Sequence, residues 1–136
     1  MNESVACVFI ADDDEDDQYL LQLCFTEHSP ACRLHFSKNG KELLADLANE
    51  TVPPQLMLLD LNMPFMGGLE TLQVLRNNPR YTETPIVILT TSSEPIDKRR
   101  AFELGATAFL TKPLNQKALG RMVLKLRQDW LEGKCC

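Results

Sequence analysis

Short apolar runs alternate five times with longer stretches that are apolar on one side only, and this alternation limits the chain more than any other feature. The runs are Val5–Ala11, Gln55–Leu59, Ile86–Leu89 and Thr107–Leu110, with Arg33–Phe36 as a shorter, edge-side strand. Continuous apolar runs of strand length read as strands buried on both faces, and intervening stretches with three-and-four spacing read as the helices that cover them. The pattern predicts an α/β fold with a doubly wound parallel sheet. Its helices are predicted at Glu15–Glu27, Gly40–Asn49, Gly68–Asn78, Pro95–Leu104 and Leu114–Leu131. Pro53 and Pro54 suit a strand entry, Pro79 closes the third helix, and Gly105 is placed as the left-handed terminator of the fourth. The last helix carries Leu119, Met122, Val123, Leu126 and Trp130 on one face, so Trp130 is read as packing.

With 136 residues, 44% of them hydrophobic, the chain suits one domain with a substantial core, expected over 1–131 with a short tail at 132–136. No apolar run approaches the roughly 18 residues of a membrane-spanning helix, and a cytoplasmic location is expected. The formal charge is −5, yet the run Asp12–Asp17 supplies −6 and leaves the remainder at +1. A local acidic cluster without a basic stripe argues against direct nucleic-acid or membrane binding and for a cation. The five cysteines are an odd number without a CxxC pair, so neither a disulfide framework nor a zinc site is expected. Cys7 and Cys24 read as core residues, and Cys135 and Cys136 as tail thiols without a role.

Ligands of a doubly wound sheet bind at the carboxyl ends of its strands. Strand one runs into Asp12 and Asp13, strand three into Asp60, strand four into Thr90 and Thr91, and strand five into Lys112-Pro113. Clustered carboxylates repel unless a cation lies among them, and hard oxygen ligands suit Mg²⁺ or Mn²⁺. Asp60, followed by the turn-forming stretch Asn62–Gly68, is the best candidate nucleophile toward a phosphoryl donor, with Lys112 offsetting charge on the transferring oxygens. Asp14, Glu15, Asp16 and Asp17 read instead as the cap and acidic first turn of the first helix. His28 and His35 fall outside the crevice. Lys98, Arg99 and Arg100 read first as a solvated helix face.

Asp12-Asp13, the segment DLNMP at Asp60–Pro64 with Gly67-Gly68, Thr90 after ILT, and Thr111-Lys112-Pro113, in this order and spacing, resemble the receiver domain of two-component response regulators over nearly the whole chain. The resemblance implies a flavodoxin-like five-stranded sheet of order 2-1-3-4-5 with five helices. It implies that Asp60 is the phosphoacceptor, that Asp13 and Asp60 ligate Mg²⁺ with Asp12 assisting, and that the backbone carbonyl of Asn62 completes the protein ligands. Thr90 would hydrogen-bond the phosphoryl group, Lys112 would pair with it, and the Lys112–Pro113 bond would be cis. Phe109 takes the place of the family's switch aromatic, without a hydroxyl, beside Thr90 as the other switch residue. Asn62 and Ser92 would flank the path of a hydrolytic water. The implied donor is a sensor histidine kinase or phosphotransfer protein, and the implied output is contact with a downstream protein target, a phosphorelay intermediate or a second copy in a homodimer. The Lys98–Arg100 triplet would then belong to the output surface. The TTSSEP stretch at Thr90–Pro95 and the compact length resemble stand-alone receivers paired with phytochrome-type or hybrid kinases. The chain is read as a signalling phosphoacceptor and not as an enzyme.

Other classes fit less well. A phosphohydrolase of the haloacid dehalogenase type needs a second Asp two residues after its nucleophile, where this chain has Asn62. A flavodoxin-like cofactor module needs a phosphate cradle after strand one, where DDDEDD would repel a phosphate. A non-phosphorylated pseudo-receiver would have lost Asp13, Asp60 or Lys112, and all three are present.

Overall fold

In the computed structural model, which describes residues 7–131, five strands form one parallel sheet in the order β2-β1-β3-β4-β5. The strands are β1 (Cys7–Ala11), β2 (Arg33–Ser37), β3 (Leu56–Leu59), β4 (Ile86–Thr90) and β5 (Ala108–Thr111), joined through α1 (Glu15–His28), α2 (Gly40–Ala48), α3 (Gly68–Arg76) and α4 (Pro95–Glu103). α5 (Gln116–Leu126) closes the chain and continues as a π-helical turn over Arg127–Leu131. The strand order and the five helices are those implied by the resemblance. Boundaries shift by a few residues, most at α5, which starts at Gln116 because the Asn115 side chain accepts a hydrogen bond from the Ala118 N–H at 2.8 Å. Among the described residues, no helix is long and apolar enough to cross a membrane.

Both faces of the sheet are buried, as the continuous apolar runs require. Along β1 the side chains alternate between two cores: Val8 and Ile10 join Leu21, Cys24, Phe25, Val123 and Leu126 on the α1/α5 side. Cys7, Phe9 and Ala11 join Leu43, Leu47, Leu72 and Leu75 on the α2/α3 side. This period-two division is what a strand covered on both faces produces. Trp130 packs against the first of these cores, as read from its stripe position. α4 buries only Ala101, which accounts for its weak apolar pattern. Gly105 follows it with φ +104°, the left-handed terminator expected there.

Two sequence expectations are corrected here. Cys32 is disulfide-bonded, with Cys7 and Cys24 as buried free thiols. An odd cysteine count and the absence of a CxxC pattern do not exclude a single pair. No cis peptide bond occurs among the described residues, so Lys112–Pro113 is trans, the isomer that X–Pro bonds ordinarily favour.

The candidate carboxylate site

The sheet register brings the strand ends to one edge. Ala11 pairs with Leu59, and the Asp60 N–H donates to the Ala11 carbonyl at 3.0 Å, which places Asp60 beside Asp12. The Asp12 N–H donates to Ser37 at the tip of β2 at 2.9 Å, and the Lys112 N–H donates to Thr90 at the tip of β4 at 2.7 Å. Backbone bonds between neighbouring strands therefore fix each of these residues in place. Gly68 is required for the approach of α3, because a β-carbon there would collide with the Asp60 carbonyl oxygen.

Lys112 is the hub. Its ammonium lies 2.8 Å from Asp12 Oδ2, 2.5 Å from Asp17 Oδ2 and 2.9 Å from Asp60 Oδ2. An ammonium has three protons, and three carboxylates take them. Burial alone would lower the Lys112 pKa, but these hydrogen bonds outweigh it and the pKa is raised. Asp12 is 2% exposed, and burial pushes its carboxyl up to about 6 against the opposing pull of Lys112 and the Asp14 N–H. The two shifts agree on the physics: a buried carboxylate cluster is short of positive charge.

Asp17 is the residue that the sequence reading missed. Asp14 does cap α1, accepting from the N–H groups of Asp16 at 2.9 Å and Asp17 at 3.3 Å. Asp17, however, turns inward to Lys112 instead of serving only the helix terminus. A signal was present, since Asp17 stands three, four and seven residues before Leu20, Leu21 and Cys24, on the buried stripe. A carboxylate on such a stripe needs a buried partner.

One carboxylate oxygen from each of Asp12, Asp13 and Asp60 lies within 4.8 Å of the others, with Asp13 exposed to solvent. Three carboxylates surround a single ammonium, and Asp13 adds a fourth beside Asp12 and Asp60. This hard-oxygen donor set with one open side fits a divalent cation. Asn62 lies in the exposed loop after Asp60.

Thr90 is fully buried, and its hydroxyl oxygen accepts from the Ser92 N–H at 3.3 Å, which leaves its own proton free to donate. Ser92 donates to Asp97 Oδ2 at 2.7 Å, tying the loop after β4 to the first turn of α4. Phe109 sits on β5 opposite Ile88, half-buried against the α2/α3-side core. His35 lies away from the site, stacked on Phe9 at 4.6 Å between ring centroids and 2.8 Å from Asp46 Oδ2. Lys98, Arg99 and Arg100 are exposed on α4 and form no ion pair among the described residues.

In the loop between Asp60 and α3, Phe65 has φ +66° and is 84% exposed. A left-handed conformation costs a residue with a bulky side chain about 1–2 kcal/mol, and here little packing offsets it. Phe65→Asn is expected to stabilise the fold by about 1 kcal/mol, because Asn adopts this region readily. Urea unfolding of the two proteins checks this, and an unchanged or lower midpoint would show that the ring contributes packing.

Comparison with known proteins places this geometry in context. The model of the response regulator receiver domain family matches residues 8–124. Response regulator Rcp1 of Synechocystis is 33% identical over 130 residues, covering 92% of this chain and 88% of its own length. The phosphorylated cyanobacterial phytochrome response regulator RcpA superposes with a TM-score of 0.86 at 27% identity, over 93% of this chain and 94% of its own. The Mn²⁺-bound form of Rcp1 superposes with a TM-score of 0.84 at 31% identity, over 94% and 96% of the two chains.

Proposed function

Because the chain belongs to the response regulator receiver family of phosphoacceptor signalling domains, we propose that Asp60 is its phosphoacceptor, charged by the phosphohistidine of a sensor histidine kinase or phosphotransfer protein. The observation that carries this reading is the Lys112 ammonium bound to Asp60 at the edge of the acidic cluster. Asp60 Oδ2 is held by Lys112, while Oδ1 accepts no hydrogen bond among the described residues and is the free attacking atom. Oδ1 bonds to phosphorus as the bond to the donor imidazole nitrogen breaks, and the imidazole leaves. Asp12, Asp13, Asp60 and the carbonyl of Asn62 hold Mg²⁺ or Mn²⁺, which when bound offsets charge on the transferring oxygens.

Lys112 then pairs with the new phosphoryl oxygens and the Thr90 hydroxyl proton donates to them. Both residues are backbone-bonded across the tips of β4 and β5, so a shift of either is felt by Phe109 on β5. Output is a protein contact, with a target, a relay intermediate or a second copy. The face of α4 is suited to it through exposed Ile96, Phe102 and the Lys98–Arg100 triplet. The donor is met where Leu114 is exposed two residues after Lys112 and Tyr19 is exposed on α1, which also carries Asp17. Asn62 and Ser92 set the rate at which water reaches the acyl phosphate. The chain acts in the cytoplasm as one receiver domain over 1–131, a signal acceptor and not an enzyme with turnover on an external substrate.

The test is intact mass after incubation with acetyl phosphate and Mg²⁺. A single hydroxylamine-labile phosphoryl increment that disappears when the metal is chelated is expected. An adduct indifferent to chelator, or stable to hydroxylamine, would overturn the reading.

A further inference from the structure

Asp17 is the one partner of Lys112 that lies outside the carboxylate group able to hold a cation. Lys112 Nζ bonds Asp12 Oδ2 at 2.8 Å, Asp60 Oδ2 at 2.9 Å and Asp17 Oδ2 at 2.5 Å, whereas the group of converging oxygens comprises Asp12, Asp13 and Asp60. With those three as the metal ligands of the proposed function, we propose that Asp17 is a positioning residue: it draws the Lys112 ammonium off Asp12 and Asp60, and so sets how much Mg²⁺ the site needs.

Lys112 holds the oxygens that a cation also needs. Asp12 Oδ1 already accepts the Asp14 N–H at 2.9 Å, so its Oδ2 is the oxygen left to give, and that atom is on Lys112. With Asp60 Oδ1 as the attacking atom, Asp60 Oδ2 is likewise the one left, and it too is on Lys112. An ammonium and a dication repel when they share carboxylates. The ammonium cannot pass easily into water, because its side chain is only 11% exposed. A third anion within reach resolves this, since Asp17 keeps Lys112 paired after the other two bonds loosen.

Local structure frees and aims Asp17 for this task. Asp14 caps α1, which puts Asp17 at the third helical position, where an acidic side chain can reach back to the N–H of the cap residue. Here that N–H is already taken by Asp12 Oδ1, and the Asp17 carboxylate turns to Lys112 instead. Gln18 Nε2 donates to the Asp12 carbonyl at 2.6 Å, pinning the first turn of α1 to the tip of β1. Asp17 and Lys112 both line a cavity of about 140 Å³ whose other walls include Leu20, Leu21, Leu89 and Leu119. The cavity gives the ammonium room to move toward α1, and its apolar walls strengthen the pair that results.

Mg²⁺ binding to the full chain, measured by calorimetry, is expected to weaken about tenfold in Asp17→Asn, the scale of one charge-assisted hydrogen bond. Asp16→Asn removes the same charge from the preceding residue of α1, which faces solvent, and should stay within about twofold of the parent because that charge is screened. In a Lys112→Met background, Asp17→Asn should also change the affinity by no more than about twofold, since no ammonium remains to be held. In phosphoryl uptake from acetyl phosphate, the Mg²⁺ concentration at half-maximal rate should rise about tenfold in Asp17→Asn, with the rate at saturating Mg²⁺ preserved. Equal Mg²⁺ affinity in Asp17→Asn and the parent, an equal loss in Asp16→Asn, a loss that persists without Lys112, or a lowered rate at saturating Mg²⁺ would each overturn the proposal. The Asp16→Asn comparison decides it even where the Lys112→Met chain fails to fold. A parent chain that binds no Mg²⁺ would instead overturn the metal ligands themselves, and the role of Asp17 with them.

Discussion

Asp60→Asn is expected to take up no phosphoryl group from acetyl phosphate and Mg²⁺, a loss of roughly 10³-fold or more against the parent chain. The carboxamide keeps an oxygen that can accept from Lys112, so the hub at the sheet edge persists while the nucleophile is gone. The substitution also takes one negative charge out of a cluster in which three carboxylates face one ammonium and a fourth, Asp13, lies beside two of them. Its stability should therefore equal or exceed that of the parent in metal-free buffer. Intact mass and urea unfolding, run side by side, check both halves. An adduct of undiminished yield would move the chemistry to Asp12 or Asp13, and a large loss of stability would show that the Asp60 charge is needed to hold Lys112.

The second large effect is expected at Lys112. Lys112→Ala leaves Asp12 and Asp60, both largely buried, and the inward-turned Asp17 without their shared cation. Breaking a buried charge cluster on one side costs about 3–5 kcal/mol, and the Lys112 side chain is only 11% exposed, so solvent screening reduces this little. The loss should be seen in chelated buffer and should shrink in millimolar Mg²⁺. Removing the competing ammonium is also expected to tighten Mg²⁺ binding relative to the parent. Phosphoryl uptake should still fall about 10²-fold, since a charge aimed at the transferring oxygens is gone. Urea midpoints with and without Mg²⁺ test the first statement, and equal midpoints for variant and parent in chelator would contradict it.

The strand ends were legible because both faces of the sheet are covered. The three central strands β1, β3 and β4 then read as unbroken apolar runs, and the first polar residue of each marks the edge of the core, at Asp12, Asp60 and Thr90. Gly105 and the Asp14 cap were legible because local backbone geometry demands those residue types. Asp17 was hidden inside an acidic run whose helix-capping role is real, so one explanation covered two functions. Its place on the buried stripe, not its charge, separates them. The disulfide of Cys32 was illegible for a different reason: five cysteines without a CxxC pair leave any single pairing unspecified. The bond from the Ser92 N–H to Thr90 likewise depends on the course of the loop into α4, which residue types do not specify.

The central claim is that Asp60, and no other carboxylate of the cluster, carries the phosphoryl group. Borohydride reduces an acyl phosphate to the alcohol, so an aspartyl phosphate at any position is recorded as homoserine there. Reduction of the acetyl phosphate-treated chain in Mg²⁺, followed by peptide sequencing by mass, is predicted to find homoserine at position 60 alone. Homoserine at position 12, 13 or 17, or at none of them, would contradict the account.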